Sequence, residues 1–213
     1  MRPGYPTVLR RGAFTIALFG LLGLVVSMLV SLVQPLKYSS TVRLLVRQDV
    51  GTAVDAYTAG RSEERIADNL ANVLYTTTFF DQVMGAGFSI DQRYFPSKDY
   101  KRRREWGRTV SASVARGSGL MAITAYHPDV KQAEQIARAV AFVLTERAGE
   151  YASGGKVDVR LIDAPLNSRW PVKPNLIANG ISGLVLGGLF GVGYVLIQAD
   201  RLRRRHQLIH EEL

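Results

Sequence analysis

Few side chains in this sequence are suited to bond-making chemistry. There is no cysteine, so neither a thiol nucleophile nor a thiolate metal site is available. The only histidines are His127, His206 and His210. His127 precedes Pro128 and Asp129, which reads as a solvated turn. His206 and His210 stand at i, i+4 with Glu211 beside them, a spacing that suits a metal. Their setting in a short basic tail makes incidental histidines the simpler reading. No G-x-x-x-x-G-K-[ST] phosphate loop occurs; Gly117 and Gly119 lack the following lysine and read as hairpin residues. Asp158 and Asp163 have no evident catalytic partner. The expectation is a protein without catalysis, metal or cofactor.

One charged cluster stands apart: Lys101, Arg102, Arg103 and Arg104, followed by Trp106 and Arg108. It reads either as a solvated helix face balanced by nearby acids or as a contact for anionic lipid headgroups or an acidic polymer. Trp106 suits a sugar ring as a stacking surface, though a tryptophan is more often a core residue.

Two long apolar runs frame these residues. Residues 13–33 (AFTIALFGLLGLVVSMLVSLV) and 176–197 (LIANGISGLVLGGLFGVGYVLI) carry no charge. About 20 apolar residues at roughly 1.5 Å each cross a hydrocarbon core of about 30 Å, so two membrane spans are expected. The first run exceeds the apolar core of a signal peptide and ends in Gln34-Pro35-Leu36-Lys37 without an A-x-A site. Arg10-Arg11 alone does not make a twin-arginine signal, so an uncleaved anchor is expected. Arg2, Arg10 and Arg11 flank the first run, and Arg201, Arg203, Arg204 and Arg205 follow the second. Lysine and arginine accumulate on the cytoplasmic side of short flanks. Both termini are therefore expected inside, with residues 36–174 outside. Much of the net charge of +9 is accounted for by these flanks, and no nucleic-acid partner is expected.

The organisation expected is a flank over 1–12, a span over 13–34, an outer domain over 35–162, a proline-rich strap over 163–175, a glycine-rich span over 176–198 and a basic tail over 199–213. Within the domain, Tyr38–Arg47 reads as a strand and Gly51–Gly60 as a small polar loop. A helix starts near Ser62, with Glu63 and Glu64 in its first turn and Ile66, Leu70, Val73 and Leu74 on one face. Thr76–Thr78 breaks it before a short helix with Phe79, Phe80, Val83 and Met84. Strands over 109–115 and 120–126 are joined by a glycine-containing turn. Asp129 with Gln132 resembles a capping box ahead of a long helix with Ala133, Ala137, Val140 and Leu144 on one stripe, stopped at Ser153-Gly-Gly155. Lys156–Ile162 alternates as a last strand. The fold class is therefore α+β, with the first and last strands side by side.

Three prolines in "DAPLNSRWPVKPN" (163–175) lock φ and bias their predecessors toward extended geometry. A stiff extended strap is expected, holding the outer domain at a fixed angle to the membrane. Arg169, Trp170 and Lys173 suit a membrane interface, and Pro174 suits the first turn of the second span. In that span Gly183, Gly187 and Gly191 form an i+4 row that favours close helix packing, with Gly180, Gly188 and Gly193 nearby. The expected partner is the first span, through Gly20 and Gly23, or a neighbouring subunit.

These features together resemble the chain-length determinant (Wzz) family, also called polysaccharide co-polymerases, over nearly the whole chain. The resemblance is carried by Pro165, Pro171, Lys173 and Pro174, then Gly187, Gly188, Gly191 and Gly193. SEERIADNLANVLY and AITAYHPDVKQAEQIARAV add to it. The proline spacing and the short outer domain differ from the enterobacterial O-antigen regulators, and only 16 residues follow Ile197, without a fused kinase domain. The chain is thus most similar to the compact, kinase-less branch linked to capsule or exopolysaccharide export. The resemblance implies a ring-forming homo-oligomer in the cytoplasmic membrane. Its partners would be membrane lipids, a polysaccharide polymerase or export machinery, and in some members a separate cytoplasmic tyrosine kinase. Arg201, Arg203, Arg204 and Arg205 would then be the kinase-contacting segment. A second reading, a two-span sensor or adaptor that activates a cytoplasmic partner such as a kinase, shares the topology but would usually feed a larger output domain.

Overall fold

The computed structural model describes residues 5–48, 55–151 and 157–211, with the side chains of residues 5, 56 and 202–211 excepted. The chain forms two compact units, one from the residues up to Pro35 together with those from Lys173 onward, the other from Leu36–Val172.

The second unit is α+β. Its strands are β1 (Tyr38–Gln48), β2 (Val110–Val114), β3 (Leu120–His127) and β4 (Val157–Asn167). They form one antiparallel sheet in the order β2-β3-β1-β4. The first and last strands do lie side by side, with Val46 opposite Val159 and Thr41 opposite Leu166. Alternation places Val42, Leu44 and Val46 of β1 and Met121, Ile123 and Ala125 of β3 on one buried face. That face is covered by α3 (Ala56–Val73) and α6 (Val130–Tyr151), whose stripes of Leu70, Ile136, Val140 and Leu144 complete the core. The opposite face is more polar: Thr41 and Thr124 share a hydrogen bond of 2.9 Å, and Arg43 pairs with Asp163 at 3.4 Å. In the β2–β3 turn, Gly117 takes φ +70°, a conformation open to glycine at no steric cost.

Several local expectations need correction. Helix α3 starts at Ala56, well before Ser62, because Asp55 caps it by accepting from the Thr58 amide at 2.6 Å. Ser62 lies within the helix and bonds Gln48 at 2.5 Å. Of the small residues that suggested a loop, Gly60 is held by close packing: a side chain there would collide with the Gly117 carbonyl. Of that expected loop, residues 51–54 lie outside the described residues, as do Ser153–Gly155. Asp129 does cap α6, accepting from the Lys131 amide at 2.8 Å, but no capping box forms. Gln132 turns to the preceding loop, donating to Ser89 O at 3.2 Å and accepting from the Asp91 amide at 2.9 Å. His127 Nδ1 accepts from the Asp129 amide at 3.0 Å.

The strap is likewise not free-standing. Residues 163–167 continue β4, an edge strand, and the register shifts twice between Thr41 and Leu44, where β4 carries extra residues. Pro165, which has no amide to donate, fits an edge beside such a bulge. Further on, the Ser168 amide donates to Ser39 O at 2.7 Å and the Val172 amide to Lys37 O at 2.8 Å.

Between α3 and β2 lie α4 (Thr77–Met84), a 3₁₀ turn (Gln92–Tyr94) and α5 (Asp99–Thr109). Thr76 caps α4 through the Phe79 amide at 3.3 Å. These elements enclose an aromatic cluster in which Phe80 meets Phe95 and Trp106 edge-on at 5.1 and 5.2 Å.

The first unit is helical: α1 (Tyr5–Arg11), α2 (Ala13–Val33) and α7 (Leu176–Glu211). Ala13–Val33 and Leu176–Arg201 are long and apolar enough to cross a membrane. Asn175 caps α7, its side chain accepting from the Ala178 amide at 3.1 Å; Pro174 sits one residue before the cap, after a cis bond to Lys173. Helix α7 does not end with the apolar run but continues through the basic segment to Glu211.

Trp106 is 1% exposed, and its Nε1–H donates to Leu74 O at 2.7 Å. Replacing it with alanine removes a large buried ring and orphans that carbonyl. Trp106→Ala is expected to destabilise the chain by about 3–5 kcal/mol, read from denaturant unfolding of the detergent-solubilised protein.

Candidate functional site

Two places draw the sequence-derived residues together, one in each unit. In the helical unit, α2 and α7 meet along the glycine row. A methyl at Gly187 would strike the carbonyl oxygen of Phe19, with Gly20 and Gly23 Cα atoms both 3.1 Å away. One at Gly183 would strike the Gly23 carbonyl and Ser27, and one at Gly191 would meet Ile16 Cα at 2.9 Å. The obstacles are largely backbone, which cannot rotate aside. An added methyl at Gly188 or Gly193 would face open space, with nothing within 4 Å, although the Gly188 backbone itself lies beside Gly20. Gly180 meets only the end of Met28, at 3.4 Å.

The same contact carries polar groups not singled out from the sequence. Ser27 Oγ donates to Asn179 O at 2.6 Å, Asn179 Nδ2 donates to Ser31 Oγ at 2.8 Å, and Ser31 Oγ donates to Ser27 O at 2.9 Å. Ser31 is 1% exposed. The available signal was the i, i+4 pairing of two serines in an otherwise apolar run; its match to Asn179 is tertiary.

In the α+β unit the second place is the sheet end where Tyr38 of β1 stands opposite His127 of β3. Lys37 Nζ lies 3.1 Å from Glu105 Oε1, and Tyr94 Oη donates to the same oxygen at 3.1 Å. The Lys37 ammonium also lies 5.6 Å from the Tyr94 ring centre, and the ring of Tyr94 packs edge-on to His127 at 4.3 Å. Arg108 flanks Glu105 at 3.7 Å. Burial would raise the Glu105 pKa, but Lys37, Tyr94 and Arg108 outweigh it and hold the carboxyl below its ordinary value. For Lys37, burial is outweighed by Tyr94 and Glu105, and its pKa is raised. His127 is lowered, chiefly by burial, with Asp129 only partly offsetting it. His127 is thus a buried ring at a strand end, not a solvated turn residue. Lys37, Tyr94 and Glu105 went unrecognised as a group because Tyr94 lies 57 positions after Lys37 in the chain.

The basic run lies on α5, as a helix face. Trp106 points into the core, which rules out its stacking on a sugar. Arg102 also turns inward, pairing with Asp99 at 2.8 Å and lying 5.4 Å over the Phe80 ring. Lys101, Arg103, Arg104 and Arg108 remain exposed. Asp99 and Glu105 of the same helix pair with Arg102 and Arg108, and among the described residues no acid pairs with Lys101, Arg103 or Arg104. Pro165 is in β4, Pro171 lies between the bonds of Ser168 and Val172, and Lys173 and Pro174 lead into α7. Arg201 is exposed on α7; the helical backbone passes through Arg203, Arg204 and Arg205, whose side chains lie outside the described residues, as do those of His206 and His210. No protein-family model matches the chain, and no curated protein matches it.

The glycine contact predicts unequal responses. Gly187→Ala is expected to destabilise the α2–α7 pair by about 1–3 kcal/mol, as overpacking does, whereas Gly188→Ala leaves it unchanged; thermal unfolding in detergent separates the two.

The sheet end predicts a pH response. A lowered folded pKa gives stability that is full above the unfolded value and lost as pH falls through the folded one. Stability should therefore begin to fall below about pH 6.5 through His127, and fall again in the carboxylate range through Glu105. His127→Asn, which keeps an acceptor for the Asp129 amide, should remove the first loss and leave the second, as seen in melting temperature against pH.

Proposed function

We propose that this protein is a non-enzymatic, oligomeric membrane scaffold that regulates the chain length or export of a cell-surface polysaccharide, in the manner of the chain-length determinant family. On this reading α2 and the apolar part of α7 cross the cytoplasmic membrane. The short basic flanks stay in the cytoplasm, and Leu36–Val172 stands outside.

The observation that carries the reading is the pairing of β1 with β4, combined with the glycine-lined contact of α2 with α7. The α+β unit is entered and left at one sheet end, and its two flanking helices pack backbone against backbone. A scaffold that presents a domain on two spans needs such a closed arrangement. The proline-rich segment between β4 and α7 supports it further. The partners are further copies of the chain, lipids and a polymerase or export assembly.

A second reading, an adaptor that activates a cytoplasmic partner such as a tyrosine kinase, is favoured by one observation: α7 runs without a break from its apolar part into the basic segment. The two differ in oligomeric size, a large ring for the scaffold and a dimer for the adaptor.

Deleting the gene is expected to remove or shorten the long polysaccharide chains, and restoring it to recover them, as read from the size distribution of surface and secreted glycan. An unchanged distribution would reject the scaffold reading.

A further inference from the structure

We infer that the exposed face of α5 is a docking surface for anionic lipid headgroups, which holds the α+β unit against the bilayer; this rests on the membrane reading proposed above. Helix geometry groups the residues. Tyr100, Arg104 and Arg108 form an i, i+4 row, with Lys101 and Arg103 on either side. All five are exposed, Tyr100 at 68%. The inner side of the helix is held by Trp106 and Thr109, both buried. The basic face is thus presented on an element fixed in the core.

Its location follows from chain connectivity. Glu105 of α5 bonds Lys37 at 3.1 Å, and Lys37 O accepts from the Val172 amide at 2.8 Å. Lys37 follows Val33, the end of α2, by four residues, and Val172 precedes Leu176, the start of α7, by four. Four residues reach at most about 14 Å. If both helices span, Lys37 and Val172 cannot stand far above the headgroup layer, which adds about 5–8 Å to each side of the hydrocarbon. Glu105 thus ties α5 to a residue that the chain keeps within reach of the headgroup layer. Exposed Arg169 and Trp170, the latter at 72%, lie between Ser168 and Val172 at the same sheet end and add a cation and an interfacial aromatic ring.

The contact is electrostatic adsorption, since the apolar side of α5 faces the core. Each basic residue near an anionic surface contributes about fivefold to partition, and the attraction weakens once the Debye length falls to a few ångströms at high salt.

The absence of cysteine allows a direct test on the full chain in lipid vesicles. A fluorophore is placed at Gly107→Cys, an exposed position where a side chain meets only Tyr75 at 3.9 Å. Quenching is measured by a lipid bearing a nitroxide on its headgroup, in phosphatidylcholine alone and with phosphatidylglycerol added. Quenching should rise several-fold with phosphatidylglycerol, and be lost at high salt and in the variant with Lys101, Arg103, Arg104 and Arg108 all changed to Gln. A second label at Leu22→Cys, in the middle of α2, reports insertion through quenchers on the acyl chains. Insertion at Leu22 with no phosphatidylglycerol response at Gly107 overturns the lipid surface alone. A label at Leu22 that stays in water overturns the membrane reading beneath it. Protection of the Gly107→Cys thiol from alkylation by polygalacturonate, without a lipid response, would assign the face to an acidic polymer and overturn the proposal.

Discussion

The antiparallel pairing of β1 with β4 is the constraint on which the rest of the α+β unit depends. It brings the first and last strands of a unit 137 residues long, Leu36–Val172, into one ladder. Both ends of the unit are thereby fixed at the same sheet end. The bonds from Ser168 to Ser39 and from Val172 to Lys37 extend that ladder past the last regular pair. The pairing is non-local and closes a long loop, which costs entropy before its contacts form. The helices inserted between the strands supply the compensating burial: α3 and α6 cover one sheet face, and their apolar stripes join β1 and β3 in a single core.

The helical unit reaches the same closure by other means. Helices α2 and α7 are long and apolar enough to cross a membrane. For a pair that does so, apolar side chains gain little by leaving lipid for one another, and close backbone approach and interhelical hydrogen bonds carry the association. Gly183 and Gly187 beside Gly20 and Gly23, and Gly191 against Ile16 and Phe19, provide the approach. Ser27, Ser31 and Asn179 provide the bonds. Both depend on the same register of α2 against α7, because a shift along either helix would bring side chains against the glycines and uncouple Asn179 from Ser31.

What the sequence revealed and what it hid divide along physical lines. Period-two alternation in β1 and β3, the apolar stripe of α6 and the two uncharged runs are repeated local signals, and each led to the right element. The glycine row was legible because i+4 spacing directly defines a helix face; Gly188 and Gly193 belonged to other faces of that same helix. Errors arose where one residue type serves two ends. Asp55, Ala56 and Gly60 looked like a loop because small and capping residues also make loops, while Gly60 is small to admit the Gly117 turn. Gln132 had the spacing of a capping box, but the Ser89 and Asp91 backbone offered it other partners. Arg102 sat in a basic run whose composition suggested a surface, although its helical position turned it inward beside Trp106, which takes the core place that its size favours.

Lys37 and Glu105 show why the remaining site residues were hidden. Their side chains are 11% and 23% exposed, so bringing them together removes much of the water around both charges. Coulomb attraction across such a pair is largely offset by desolvation, and its net contribution to stability is small. Removing either partner alone is costly, because the other charge would stay half-buried. A pair with that asymmetry acts chiefly on position. It admits one placement of α5 against the start of β1, with Tyr94 bonded to the same carboxylate and His127 packed behind the ring. Alternative placements leave an unpaired charge. The basic face of α5 is thereby held in a set direction by an acid that lies within the basic run itself, and Glu105 is the residue that converts a stretch of like charge into an oriented surface.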